Sequence, residues 1–327
     1  MVQQLDRNLA LELVRATESA AMAASRWMGR GDQDAADKAA VHAIRLGLAS
    51  IDMDGVVVIG EGERDQAPML YHGEHIGNGI PPQVEVAVDP IDGTALVANG
   101  LSGALSVVAL AERDSLLFTR LTYMNMLVVG PRAKGTIDLM ASPAQNVQAV
   151  ARATGRGVQD VTVVILSRPR NEPLIQEVRA TGARLRLIPD GVISAGLMAM
   201  QEEHSGIDML MGIAGAAEGV ITACAARCLG GDMQARLWLR DEADQLLAAS
   251  EGVDVDRLLT LDDLCRGEHV FVAVTGVTDS ELVHGVRYVR SGMVTESIAM
   301  RSASGTYRRV AARHDPVRLR KLAGPMY

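Results

Sequence analysis

The sequence predicts a mixed α/β protein, and three observations predict it. A chain of 327 residues with 48% hydrophobic content can bury a large core, as one α/β unit or as two fused halves. Residues 5–50 carry two successive helical periodicities. From about residue 150, short β-branched runs alternate with helical stretches, the rhythm of parallel βαβ units. That change of rhythm places a soft boundary near residue 150, between an N-terminal α+β half (1–150) and a C-terminal α/β half (151–327) of one compact unit.

The first helix is expected from Leu5 to Met28, where Leu9, Leu13, Ala16, Ala20, Ala24 and Trp27 recur at helical spacing and Gly29 and Gly31 close the run. A second runs from about Asp34 to Ser50 with Val41, Ile44 and Leu48 on its apolar stripe. Asp37, four residues before Val41, shares that inward stripe, where an acid needs a partner. Strands follow at VVVIGEGE (56–63), VEVAVD (84–89) and GALSVVALAE (103–112), each bounded by glycine or proline. Beyond residue 150 come the strand VTVVILS, a helix from Glu172, the strand RLRLIPD, a helix from Gly191, the strand IDMLMGI and the helix AEGVITACAARCLGG. The tail returns to strands (HVFVAVTGV, VRYV, TESIAMRSASGTYRRV) and ends in a basic, solvated stretch holding Arg308, Arg309, Arg313, Arg318, Arg320 and Lys321.

Composition excludes several classes of function. A formal net charge of −8 disfavours nucleic acid and anionic membranes as partners, since neither polyanion gains from an acidic surface. Aromatic residues at 3% leave few stacking platforms for single-stranded nucleic acid. No apolar run is long enough to span a bilayer and the start resembles no secretory signal, so the expected location is the cytoplasm. Cys224, Cys228 and Cys265 lack a CxxC or a histidine cluster and read as core residues. The histidines are scattered; His72 and His75 share a polar turn without a third ligand and read as exposed loop residues. Ser167 and Ser194 lack a GxSxG elbow, and the glycine pattern matches neither a dinucleotide fingerprint nor a Walker loop.

The chemistry concentrates in VEVAVDPIDGT (84–94). Asp89 and Asp92, three apart around a proline turn, can converge with the Ile91 carbonyl on one or two hard cations such as Mg2+ or Mn2+. Gly93 lets a phosphate approach the backbone, and the Thr94 hydroxyl stands beside. Alone, the string is as often a structural turn. Other acids change that balance: Glu61 and Glu63 at the end of a strand, with a spacing that points both to one face, Asp37 on its inward stripe, and Glu218 where a strand hands over to a helix. Carboxylates gathered in this way repel one another without cations. Arg168 and Arg170 straddle Pro169 just past VTVVILS, outside the carboxyl end of a strand, where α/β folds bind ligands and guanidinium forks suit phosphate oxygens. Two arginines also suit a substrate with a second phosphate. Tyr123 reads equally as a core residue on a hairpin.

In order along the chain, GRGD with AAD at 35–37, VVIGEGE with APML at 67–70, DPIDGT, GPRAKGTIDL at 130–139, RPRN at 168–171, IPDG at 188–191 and GAAEG at 215–219 resemble the bacterial class II fructose-1,6-bisphosphatases over nearly the whole length. DPIDGT alone is similar to the wider lithium-sensitive, metal-dependent sugar phosphatase superfamily, which includes the inositol monophosphatases. The resemblance implies a layered fold of alternating helix and sheet (αβαβα). It also implies metal ligation by Asp37, Glu61, Asp89, Asp92 and Glu218, with two or more divalent cations, Mn2+ or Mg2+. Catalytic roles would fall to Thr94 and Glu61, and to Asp65 in GERD, which is similar to a family acid that orients the nucleophile. Substrate contacts would fall on Asp92, Gly93, Thr94, Tyr123, Arg168, Pro169, Arg170, Asp190, Gly191, Val192 and Gly215. The implied reaction is hydrolysis of fructose 1,6-bisphosphate to fructose 6-phosphate and phosphate, in gluconeogenesis or carbon fixation, by a homo-oligomer, dimer or tetramer.

Departures from the family pattern matter too. Gln33 stands where the family often has lysine, Val192 turns DGD into DGV and cannot accept a hydroxyl proton, and GAAEG replaces GGAPEG while keeping Glu218. Substrate preference can therefore shift, for example toward sedoheptulose 1,7-bisphosphate. Two rivals are an inositol-phosphate or phosphonucleotide phosphatase of the same superfamily, and a non-catalytic sugar-bisphosphate sensor. RPRN and GPRAKGTIDL speak against the first; the full set of acids with Thr94 speaks against the second.

Overall fold

The computed structural model describes residues 9–62, 69–201, 205–315 and 317–319. The chain divides into two compact units, one of residues 1–115 with 267–327 and one of residues 116–266. The position near residue 150 lies inside a helix, Pro143–Thr154, and the tail strands rejoin the first sheet.

The first unit opens with helices α1 (Leu9–Ser25) and α2 (Gln33–Ala49). Asp32 caps α2 by accepting the Ala35 N–H. Strands β1 (Asp54–Ile59), β2 (His75–Ile76), β3 (Gln83–Asp92) and β4 (Leu105–Glu112) follow, with the short helix α3 (Thr94–Asn99) between β3 and β4. The tail adds β11 (Phe271–Gly276), β12 (Arg287–Val289), β13 (Gly292–Arg301) and β14 (Thr306–His314). The sheet runs β12-β13-β11-β4-β3-β1-β2, with β14 on the outer side of β13. Only the β1–β3 pairing is parallel among these.

The helical stripe does what its spacing predicts. Leu13, Ala16, Ala20 and Ala24 of α1 and Ala36, Ala40, Ile44 and Leu48 of α2 share one core with Val86, Val88, Val108, Leu110 and Phe271 of the sheet. Each buried Leu or Ile there contributes on the order of 2 kcal/mol. The helices approach closely at Gly47, where a Cβ would stand 2.9 Å from Ala16 Cα. The expected first helix ends earlier than Met28: α1 stops at Ser25 and residues 26–29 form the turn.

In the second unit the strands are β5 (Tyr123–Val129), β6 (Thr162–Leu166), β7 (Arg184–Ile188), β8 (Met209–Gly215), β9 (Asp232–Trp238) and β10 (Leu259–Thr260). The helices are α4 (Pro143–Thr154), α5 (Glu172–Ala180), α6 (Val192–Met200), α7 (Ala216–Leu229), α8 (Glu242–Glu251) and α9 (Leu261–Leu264). The sheet order is β10-β9-β5-β8-β6-β7. As the rhythm predicts, β6 is parallel to β7 and β8, but β5 lies antiparallel to β8 and β9, so the sheet is mixed. Alternation along β5 sends Leu127 and Val129 into a core with Val147, Val150, Ile175 and Val178 of α4 and α5. Met124 and Met126 take the opposite face, against Gly219 of α7, where a Cβ would collide with the Met124 sulfur. Helices therefore cover both faces of this sheet, and the mixed α/β class is the one observed. No described helix is long and apolar enough to cross a membrane.

Candidate active site

In the first unit the acids collect at the carboxyl ends of the parallel strands β1 and β3. Strand β3 does not stop at Asp89. It continues to Asp92, which pairs with Leu105 of β4, and a β-bulge between Asp89 and Asp92 takes up Pro90 and Ile91. Proline cannot donate to the ladder, so a bulge is where a strand tolerates it. The Asp89 Oδ1 accepts the Ile91 N–H at 3.1 Å, and the Thr94 hydroxyl donates to the Ile91 carbonyl at 3.3 Å. Asp92 is 3% exposed. Gly93, at φ +94°, supplies the left-handed turn that starts α3 at Thr94.

Glu61 lies in the turn after β1 and not on the strand, which ends at Ile59. Its N–H donates to the Leu70 carbonyl at 2.9 Å. Gly60 allows that approach, since a Cβ there would run into the same carbonyl. Burial, and then the negative charge of Asp37, push the Glu61 carboxyl up to about 7. Asp37 sits half-buried beside the inward stripe of α2; burial and then the Asp34 charge raise its proton affinity, while Lys38 opposes them. Glu63 and Asp65 lie outside the described residues.

In the second unit the predicted substrate residues share one edge of the sheet: the carboxyl ends of β6, β7 and β8 and the start of the antiparallel β5. Pro169–Asn171 form a tight 3-10 turn after β6, with Arg168 at its start. The Arg170 guanidinium stacks on the Tyr123 ring, 4.3 Å from its centre, and its Nε donates to the Ile213 carbonyl at 3.2 Å. Tyr123, the first residue of β5, also meets Trp238 edge to face at 5.9 Å. Asp190 is half-buried after β7, Gly191 begins α6 at φ +82°, and Val192 is buried in its first turn. Gly215 precedes α7, and any side chain there would collide with the Glu218 carboxylate. Burial raises the Glu218 proton affinity; its own backbone N–H and Arg170 oppose this, and Asp190 adds to it.

Asn171 is a buried residue whose positioning contacts sequence reasoning missed. It is 1% exposed, and its Nδ2 donates to the carbonyls of Leu166 and Ile213 at 2.9 and 3.0 Å while its Oδ1 accepts the Ile213 N–H at 2.8 Å. It thereby clamps the arginine turn to β6 and β8. An asparagine directly after two arginines at a strand end was its signal. One other expectation needs correction: His72 is half-buried, its Nδ1 3.2 Å from the Val58 carbonyl, whereas His75 is exposed as expected. The three cysteines are buried, as expected.

Among the described residues, no three His, Cys, Asp or Glu side chains stand close enough together to hold a metal ion. The acids of each unit nevertheless suit a hard divalent cation by their chemistry. Asp37 and Glu61 in the first unit, and Glu218 in the second, are carboxylates that burial drives toward the neutral form, a condition that a cation relieves.

A layered α/β chain with desolvated acids at the strand ends of one sheet and a clamped arginine pair at the strand ends of the other is of the phosphate-ester-handling class. The family profile described as bacterial fructose-1,6-bisphosphatase, glpX-encoded, matches residues 7–314, and the chain belongs to that family. It is 41% identical to fructose-1,6-bisphosphatase 1 class 2 of Escherichia coli K12, with 94% of this chain and 95% of that protein covered. Identity and coverage are the same for the fructose-1,6-bisphosphatase class 2 of Shigella flexneri. Among solved structures, an extragenic suppressor from Pyrococcus furiosus aligns at a TM-score of 0.30 and 15% identity, covering 59% of this chain and 70% of that one.

Proposed function

We propose that the protein hydrolyses the 1-phosphate of fructose 1,6-bisphosphate, giving fructose 6-phosphate and inorganic phosphate, as a cytoplasmic homo-oligomer that uses Mn2+ or Mg2+. Membership of the fructose-1,6-bisphosphatase family over residues 7–314 is the observation that carries this reading. Asp37, Glu61, Asp89, Asp92 and Glu218 are the proposed ligands of the divalent cations. When bound, such cations neutralise phosphoryl oxygens and lower the pKa of water.

The chain's own residues supply the rest. Thr94 stands at the first turn of α3 with its hydroxyl already directed at the Ile91 carbonyl, a geometry that holds it beside Asp89 and Asp92. From there it orients the attacking water, with Asp65 as the proposed partner acid. Gly93 leaves the backbone open to a phosphate oxygen. Arg168 and Arg170 take the phosphate that is not cleaved, Arg170 held on Tyr123 and Asn171 fixing the turn. Asp190, Gly191 and Gly215 line the sugar side.

A second substrate is favoured by one observation: Val192 is buried in the first turn of α6, where no carboxylate can read a sugar hydroxyl, so sedoheptulose 1,7-bisphosphate is the proposed alternative. A phosphate-release assay on both bisphosphates and on inositol monophosphate tests the reading. Turnover of a bisphosphate above the monophosphate is expected, as is a fall in kcat of about 10²-fold for Thr94→Ala. Preference for the monophosphate, or full activity in Thr94→Ala, would contradict it.

A further inference from the structure

In the second unit, the sheet leads outward from the arginine turn to one more residue that bears on the proposed reaction. Because β9 lies antiparallel to β5, and β5 antiparallel to β8, the carboxyl end of β9 comes to the same edge as the carboxyl ends of β6, β7 and β8. Trp238 ends β9 there. It stands directly across from Tyr123, whose neighbour in register on the other side is Gly215 of β8. Opposed residues of paired strands send their side chains to one face, and the two rings meet edge to face, their centres 5.9 Å apart and their planes at 76°. The aromatic quadrupole favours that arrangement.

Alternation along β9 separates Trp238 from the core residues of its own strand. Met233, Ala235 and Leu237 are buried on the opposite face, whereas Trp238 is half-buried. On its own face the apolar core is built on Leu127 and Val129, toward the other end of β5. The tryptophan therefore lies at the edge where the proposed substrate residues gather.

What Tyr123 needs from such a neighbour follows from what it carries. Arg170 lays its guanidinium 4.3 Å from the centre of the Tyr123 ring and donates its Nε–H to the Ile213 carbonyl, so the terminal nitrogens of the fork are the ones that face a phosphate. Their direction is set by the plane of the ring beneath. Tyr123 begins its strand and is half-buried, and on the β8 side Gly215 offers it no side chain, the Glu218 carboxylate filling that place. Support for the ring from the sheet thus comes from Trp238. A guanidinium fork holds a phosphate by direction as well as distance, so a ring free to tilt costs affinity.

We infer that Trp238 is a positioning residue, which fixes the Tyr123 ring and through it the direction in which Arg170 presents its fork to the phosphate that is not cleaved. The inference rests on the proposed role of Arg170 and is independent of the cations and the cleavage step.

Calorimetric titration of the full-length protein with fructose 6-phosphate, which carries only the phosphate that is not cleaved, tests it without divalent cation. Trp238→Leu is expected to weaken binding about three- to tenfold, and Trp238→Phe, which keeps a ring, to stay within about twofold of the wild type. Arg170→Ala is expected to weaken it at least about tenfold. In the Arg170→Ala background, Trp238→Leu should change affinity by less than about twofold, because the tryptophan then has no fork to aim. In steady-state kinetics on fructose 1,6-bisphosphate with Mg2+, Trp238→Leu should raise KM by about the same factor as it weakens binding and leave kcat within about twofold. Equal weakening by Trp238→Leu in both backgrounds would make its role a general structural one, and wild-type affinity in Trp238→Leu would leave it none; either result overturns the inference. Wild-type affinity in Arg170→Ala, or no binding to the wild type, would overturn it together with the arginine reading. Binding without turnover of the bisphosphate would refute the hydrolase reading alone, with the titrations still deciding the role of Trp238. Circular dichroism checks that each variant folds, and Trp238→Met replaces Trp238→Leu in every arm if the smaller side chain does not support the strand.

Discussion

Asn171 in the second unit and Glu61 in the first stand in the same kind of place, the turn that follows a sheet strand, and are held in opposite ways. Asn171 is neutral, buried, and saturated by three hydrogen bonds to the backbone of β6 and β8. Among the described residues Glu61 is anchored through its backbone N–H, and burial together with Asp37 pushes its carboxyl up to about 7. The arginine side is thus built before any ligand arrives, while the acid side carries electrostatic strain that a ligand must relieve. A phosphate-binding turn gains from preorganisation, because its partner is an anion of fixed shape. A cation-binding group gains from carboxylates that the fold keeps poorly solvated, at a cost in stability.

The strongest way to break this comparison is to remove a charge from the acid side. Asp89→Asn keeps the size of the side chain and its ability to accept the Ile91 N–H, so the thermal midpoint should hold while kcat falls on the order of 10³-fold. A loss of fold together with activity would mean that Asp89 is structural. On the opposite side, Asn171→Ala removes the side-chain partner of the Leu166 carbonyl and of the Ile213 N–H and leaves the Ile213 carbonyl to Arg170 Nε. Denaturant unfolding should show a loss of about 3 kcal/mol, with KM rising as the arginine turn loosens. A stability change near zero would show that the clamp contributes nothing.

The acid side also makes a prediction about pH. Glu61 is raised from 4.5 to about 7 in the folded chain, so the folded state holds that proton more tightly than the unfolded state. Its contribution favours the fold below about 4.5 and is lost as pH rises through about 7. The difference corresponds to at most about 3.4 kcal/mol, which partial solvent screening trims to about 2. Metal-free protein should therefore melt at lower temperature at pH 8 than at pH 6, and Glu61→Gln should flatten that dependence. Melting curves with the same slope in the variant would assign the effect elsewhere. The smallest effect concerns Val192: Val192→Asp should change the ratio of kcat/KM for the two sugar bisphosphates by less than about tenfold. An unchanged ratio would mean that the start of α6 does not read the sugar.

Much of this organisation was legible in the sequence, for reasons particular residues make plain. The helix from Glu172, the helix after Gly191 and the strand at 209–215 follow local propensity and punctuation, and all three form where that chemistry predicts. The reach of β3 to Asp92 was not legible, because a proline in the run argues for a stop and only the pairing of Asp92 with Leu105 shows the bulge. Glu61 was read as a strand residue because glycines on both sides break the alternation without fixing where pairing ends. The tail strands joining the first sheet, and Asn171 bridging β6 to β8, are long-range pairings that no local pattern records. Acid types and their order were legible; the environments that set their proton affinities were not.

The central claim is that these acids exist to hold divalent cations for phosphate-ester hydrolysis. Phosphate release from fructose 1,6-bisphosphate, measured on chelator-treated protein before and after Mn2+ or Mg2+ is restored, tests it most directly. The account predicts no release from the stripped protein and full recovery with cation. Release at the same rate in the presence of chelator, or tight binding of the bisphosphate with no turnover under either cation, would contradict it.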